Sequence, residues 1–311
     1  MRLLFVAILC LLVFADYAQA DDDRLNRTIE VLEQDDPVFG IFTADFSLTN
    51  ARALATSGLD FIFIDMEHSP LDFQTLRVFL LGMTDKATIA STGSTQMATT
   101  PLVRIPTYGS VNPQAMVKQA LDAGAYGIVF PFIETREQAQ LAIQSMRYPA
   151  QQGDPQQEPI GLRGASPAIP AWLWGTRDYM AKADLYPLDP NGELLAVLQI
   201  ESKAGVENID EIASLPGVGA IFLGPSDLSL SYGLAGKPDD PTLVAAMQKV
   251  LDACAKYDVP CGRTSNAANV ARHLEEGHSF LTIGYWSDAG ISTGPGEGLK
   301  AAHEASGRSK D

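Results

Sequence analysis

The sequence predicts a single-domain (β/α)8 TIM barrel of the α/β class, and three observations carry that prediction. Eight short apolar runs of β type alternate with longer amphipathic stretches between residues 37 and 290. Most of these runs are apolar along their length instead of every second residue, as strands covered on both faces of a parallel sheet must be. With 311 residues, 46% hydrophobic and 19% charged, the chain is long enough to bury one large core. Strand and helix in strict alternation favour a closed barrel over an open doubly wound sheet.

The runs, in order, are VFGIFT (38–43), FIFID (61–65), LVRIP (102–106), YGIVFPF (126–132), LLAVLQIES (194–202), GAIFLGP (219–225), PCGRTS (260–265) and SFLTIGYW (279–286). Helical patterns lie between them. In NPQAMVKQALDAG (112–124), Pro113 suits a first turn and Gly124 a C-terminal cap; DDPTLVAAMQKVLDACAKY (239–257) is a longer example. An acidic helical lead, residues 21–36, precedes the barrel, and residues 291–311 read as a tail whose GPGEG is a turn. The irregular stretch is 149–193, rich in Pro, Gln and Trp. It is long for a βα connection, and loops of that length are usually functional or mobile.

Residues 1–20, MRLLFVAILCLLVFADYAQA, place a basic residue at Arg2, an apolar stretch from Leu3 to Ala15 and small residues at Ala18 and Ala20 before three aspartates. That is the layout of a secretory signal peptide cleaved after Ala20. The apolar stretch is shorter than the roughly 20 residues that span a bilayer, so the mature chain is expected to be periplasmic or secreted, free of the membrane. Formal net charge is -16 with no cluster of Lys or Arg, which excludes the phosphate-neutralising patch nucleic acid requires. Removal of the leader takes Cys10 with it and leaves Cys254 and Cys261. A helical segment ends between these two and a strand begins, so a bridge needs a separation the sequence does not guarantee; two buried thiols is the reading here.

If the runs close a barrel, their C-terminal ends form the active face. The second run ends in Asp65, Glu67 and His68; the third carries Arg104; the fifth ends in Gln199 and Glu201; the sixth leads into Ser226 and Asp227. Glu201 and Asp227 supply two hard oxygen ligands from adjacent strands, which suits Mg2+ or Mn2+. Arg104 can hold a developing oxyanion and His68 can move a proton near neutral pH. The set suggests enolate chemistry on a 2-oxo acid. The same residue types also fit a structural account, with Glu201 and Arg104 as a rim ion pair and His68 capping a helix that begins at Pro70. His273, His278 and His303 have no partners at metal-ligand spacing and read as surface or structural residues. Trp172 and Trp174 fit either the lip of a substrate channel or the packing of a long loop at a subunit interface.

IDMEHSPLDFQTL, PLVRIP, ALDAGAYGIVFPFIET, GLRGAS, LQIES and FLGPSDLSLSYGLAGKPDDP occur in this order. Together they resemble the HpcH/HpaI aldolase family over roughly residues 37–290. The resemblance implies a metal-dependent class II aldolase, hexameric or trimeric, that cleaves 4-hydroxy-2-oxo acids through an enolate to pyruvate, or a related 2-oxo acid, and an aldehyde. Carried onto matching positions, it implies Glu201 and Asp227 as ligands of the divalent ion, with Gln199, Gly224, Ser226 and Asp227 around the substrate oxygens. Arg104 would then stabilise the enolate and His68 would be the base. Asp122 would raise the basicity of that histidine, within the chain or across a subunit boundary, and Asp65 would order water on the ion. Two features depart from the pattern: the leader, and the insertion and altered sequence within 149–193, which are expected to bear on aldehyde selectivity. A CoA-thioester lyase of the citrate lyase group and a non-catalytic binder of small oxo acids are the competing readings.

Overall fold

The computed structural model describes residues 24–107, 112–150, 158–285 and 295–308. The leader and its cleavage site lie outside these residues. All eight expected runs form strands: β1 Val38–Thr43, β2 Phe61–Asp65, β3 Thr100–Arg104, β4 Gly127–Phe130, β5 Leu195–Ile200, β6 Ala220–Leu223, β7 Cys261–Thr264 and β8 Phe280–Tyr285. Each pairs in parallel with the next, and β8 returns to β1 to close the barrel. β3 starts two residues before the expected run because Thr100 and Pro101 already pair with Phe61 and Ile62.

The helices are α1 Arg27–Leu32, α2 Leu48–Leu54, α3 Phe73–Gly82, α4 Lys86–Thr92, α5 Gln114–Asp122, α6 Arg136–Met146, α7 Ala168–Trp174, α8 Tyr179–Lys182, α9 Lys203–Glu207, α10 Ile209–Ala213, α11 Pro225–Ser231, α12 Pro241–Tyr257, α13 Val270–Glu275 and α14 Pro295–Ser306. Gly124, at φ +111, stands just past α5 as the sequence predicts.

The barrel interior is filled by aromatic rings set against glycines. Phe61 packs on Phe280 at 4.4 Å between ring centroids, and Phe63 on Phe222 at 5.2 Å. A Cβ on Gly40 would lie 2.4 Å from the Phe61 ring, and one on Gly262 would lie 2.7 Å from Phe222. Large side chains on some strands therefore occupy space that others leave empty, which is how barrel layers reach close packing. Phe42 covers this layer from above, 4.9 Å from Phe63.

The N-terminal end of the barrel is sealed. The backbone amides of Leu25 and Asn26 donate to the two carboxylate oxygens of Glu193, at 3.1 and 3.0 Å, and the Asn26 side chain donates to the Glu193 carbonyl at 2.9 Å. These bonds bring α1 against the barrel, burying Thr28, Ile29 and Val31. The stretch expected to be a tail holds α14, which packs on β8 and β1. Within the described part of GPGEG the turn expectation gives way to a helix start, because Gly298 lets the helix come close to the Ile283 carbonyl. Beyond α14, Arg308 donates to both oxygens of Asp60, at 2.7 and 2.8 Å.

Cys254 and Cys261 are free and buried, in keeping with the two-thiol reading. His273, His278 and His303 are buried structural residues and none is at the surface. No helix among the described residues is long and apolar enough to cross a membrane.

Candidate active site

β2, β3, β5 and β6 deliver their terminal polar residues to one cavity of about 310 Å³ at the C-terminal mouth, lined by Asp65, His68, Arg104, Gln199, Glu201, Gly224, Ser226 and Asp227. Phe42, Phe222, Thr43, Ala44 and Thr264 also line it. Every residue assigned to the site from the sequence is therefore gathered here except Asp122.

Arg104 is held by its neighbour on β2. Its Nε and Nη2 donate to the two Asp65 oxygens at 3.0 and 2.6 Å, and its Nη1 lies 3.3 Å from Glu67 Oε2. The guanidinium lies over the Phe42 ring at 4.6 Å. Burial alone would raise the Asp65 carboxyl, but the Arg104 bonds hold it below the usual carboxylate range. Asp65 also accepts from the amides of Glu67 and His68, at 3.0 and 3.3 Å, and so shapes the turn that carries both side chains. Both Asp65 oxygens are engaged, so it positions Arg104 and this turn while still lining the cavity. The rim ion pair considered between Arg104 and Glu201 does not form, and Asp72, not His68, caps α3.

Glu201 is buried beneath this pair. Its Oε1 accepts from Gln199 Nε2 at 3.1 Å and its Oε2 from the Phe132 amide at 3.2 Å. Phe132 presents that amide from a left-handed backbone, φ +50, a conformation that costs a bulky residue about 1 kcal/mol or more. Burial pushes the Glu201 carboxyl up to about 7, and the nearby Glu67 and Asp227 charges add to the effect. Gly224 makes room: a Cβ there would lie 2.2 Å from Glu201 Oε1. Asp227 enters from the first turn of α11.

These features fit a divalent cation. Glu201 is a buried carboxylate with acidic neighbours and no cation bonded to it, and Gln199 Oε1 is buried without a hydrogen-bond partner. Among the described residues no group of three or more His, Cys, Asp or Glu side chains is arranged to hold a metal. Two carboxylates are the whole protein ligand set expected here, which matches an ion that keeps much of its water.

His68 stands at the rim with its side chain 67% exposed, and its Nε2 is 3.6 Å from Glu67 Oε2, too long for a hydrogen bond. Glu67 is nearly buried, bonded by Thr107 and set between His68 and Arg104. Sequence reasoning gave it no role, although the strand period places it on the same side as Asp65. The Phe132 amide was missed as well, since a backbone donor leaves no signal in residue type.

Asp122 closes α5 at the opposite end of the barrel, where it pairs with Arg163 at 2.9 Å. The chain does not bring it to its own His68. The described residues of segment 149–193 sit at that same end: Trp174 donates to the Gly124 carbonyl at 3.0 Å and Tyr179 to the Leu121 carbonyl at 3.3 Å. Its described residues connect a helix to a strand, which places them away from the cavity of their own chain. Trp174 is buried in this segment, and Trp172 is exposed there. A larger cavity of about 780 Å³ opens in the same region and holds none of the site residues.

Fold and site together define a TIM-barrel enzyme with its reactive groups at the strand ends. The chain belongs to the HpcH/HpaI aldolase/citrate lyase family, whose model matches residues 39–291, and it is a carbon–carbon lyase. It is 33% identical over 254 residues to the 5-keto-4-deoxy-D-glucarate aldolase of Escherichia coli K12, covering 81% of this chain and 86% of that one. The enzyme of the same name from Salmonella arizonae is 34% identical over the same shares. A solved HpcH/HpaI aldolase/citrate lyase family protein from Burkholderia cenocepacia superposes with a TM-score of 0.68 at 32% identity, covering 83% of this chain and 92% of that one.

Proposed function

We propose that the chain is an exported, divalent-metal-dependent aldolase that reversibly cleaves a 4-hydroxy-2-oxo acid into pyruvate, or a related 2-oxo acid, and an aldehyde. The observation that carries this reading is Glu201 and Asp227 placed beside Arg104, with the orphan Gln199 oxygen between the strands. The relatives' named substrate supports it: 5-keto-4-deoxy-D-glucarate, numbered from its keto end, is a 4-hydroxy-2-oxo acid.

Glu201 and Asp227 would hold Mg2+ or Mn2+, which supplies a Lewis acid that acidifies the protons beside the keto group. Gln199, Gly224, Ser226 and Asp227 surround the carboxylate and keto oxygens. Arg104, locked by Asp65, faces the charge that develops on the keto oxygen. His68 moves the C3 proton, and in a homo-oligomer Asp122 of a second subunit raises its basicity. Family membership also leaves a citrate lyase-type reading, which cleavage of malyl-CoA would single out.

Pyruvate in deuterated buffer tests this reading by NMR. We expect C3 proton exchange with Mn2+ or Mg2+, loss of exchange in chelator, and loss in His68→Ala. Oxaloacetate decarboxylation, which reaches the same enolate without removing a proton, should survive in His68→Ala. Full exchange in chelator overturns the metal, and full exchange in His68→Ala overturns the base. Export is tested by the mass of the mature chain, expected to begin at Asp21.

A further inference from the structure

Cys254 and Cys261 meet at the N-terminal end of the barrel, away from the catalytic cavity. Cys254 lies in the last turn of α12 and Cys261 opens β7, and the two elements pack on each other. The connection between them is tight: Asp258 is left-handed at φ +54, and the Val259 amide donates to the Cys254 carbonyl at 3.0 Å. The chain thus doubles back at once, and the two thiols are hydrogen-bonded to each other. Each residue is at most 2% exposed, while both line one cavity of about 440 Å³. Its walls also carry the carboxylates of Asp35, Asp36, Asp252, Asp258 and Glu276. Arg263, two residues further along β7, is the cation that acts on the Cys261 thiol.

A bridge needs its two sulfur atoms brought together with the backbones at a suitable spacing. The turn between α12 and β7 supplies the approach that sequence alone left open. We infer that Cys254 and Cys261 are a disulfide-forming pair, closed by thiol–disulfide exchange with a small disulfide oxidant that enters this cavity. The inference goes beyond the aldolase reading and does not depend on it. One protein thiolate attacks the S–S bond of the oxidant, which breaks and releases one oxidant thiol; the second protein thiolate then attacks the mixed disulfide and releases the other. The protein loses two electrons and two protons, and the oxidant gains both as two thiols. The new bond ties the end of α12 to the start of β7. It closes residues 254–261 into a loop, which restricts the unfolded chain and should raise stability. An exported chain would meet such oxidants outside the cytoplasm.

The test incubates the folded chain with 2-hydroxyethyl disulfide, a neutral oxidant that carboxylate walls do not repel, and then alkylates with iodoacetamide in denaturant. The bond from Cys254, with burial behind it, holds the Cys261 thiol well above its ordinary range, so the incubation is run at about pH 8.5 to supply thiolate. Trypsin cuts after Lys249, Lys256 and Arg263, which puts the two cysteines on separate peptides, 250–256 and 257–263. After oxidation these two peptides should be found joined, in a chain that runs as a monomer on a non-reducing gel, and a reductant should part them. The melting midpoint of the oxidised chain should rise by about 3 °C or more and fall back on reduction. Both peptides alkylated after oxidation overturn the inference, as does a lasting mixed disulfide with the oxidant on either peptide, a cross-link between chains, or a midpoint at or below that of the reduced chain. Cys254→Ser assigns the gain to the bridge: the oxidant should no longer raise the midpoint, and a rise that persists in this variant counts against the inference.

Discussion

The two ends of the barrel treat charge in opposite ways. At the N-terminal end the buried ionic groups have partners: Asp60 with Arg308, Asp122 with Arg163, Asp184 with Arg147, and Glu193 with two backbone amides. At the C-terminal end Glu201 is buried among acids with amide donors alone, and Arg104 is shared between two carboxylates. A barrel built for stability would pair both ends. The imbalance at one end is what a functional site looks like when burial works against its own charges.

The comparison is broken most severely at Glu201. Glu201→Gln keeps the volume and removes the mismatched charge, so its thermal midpoint should equal or exceed that of the parent while pyruvate proton exchange falls on the order of 1000-fold. A folded Glu201→Gln chain with normal exchange would make Glu201 a scaffold residue. At the other end the signs reverse. Arg308→Ala leaves the Asp60 carboxylate buried without its cation and should cost about 3 kcal/mol of stability in denaturant melts, with turnover per folded molecule unchanged.

Arg104→Lys probes both roles at once. An ammonium cannot reproduce the two-pronged bond to Asp65, and loss of one oriented charge at an oxyanion costs about 100-fold or more in rate. Equal turnover would assign Arg104 to the scaffold.

The smallest effect is at the underside of β7 and β8, where burial lowers His273 from its ordinary value to about 3 and His278 to about 4, with Arg263 and Arg272 close by. Both are neutral in the fold, whereas in the unfolded chain they gain protons below about 6.5. The unfolded state then binds more protons, so stability should hold above pH 6.5 and decline as pH falls from there toward 4. His278→Gln should flatten that decline in melts recorded from pH 7 to 4.5.

The strands were legible because a run buried on both faces needs nothing but its own composition to be recognised. The site was legible to the same depth, since strand ends fix which residues reach the mouth. Pairings were not. Asp65 and Glu201 both stand within reach of Arg104 in sequence logic, and only the register of β2 against β3, with Asp65 opposite Arg104, decides between them. The place of segment 149–193 could have been read: it follows α6 and precedes β5, and a helix-to-strand connection must lie at the N-terminal end. Helix α14 was hidden by Gly296 and Gly298, residues that argue for a turn until a close approach to β8 explains one of them.

The aromatic floor under the cavity has a kinetic meaning. Phe42, Phe63 and Phe222 pack on one another beneath the site, so neither fragment leaves through the barrel axis and both depart by the mouth. The fragment on Glu201 lies deepest, and the one beside His68 lies at the lip. Cleavage should therefore release the aldehyde first and the 2-oxo acid last, with pyruvate inhibiting competitively against the substrate and the aldehyde noncompetitively. Initial-rate inhibition patterns read that order directly, and competitive inhibition by both products would mean that either fragment can leave first.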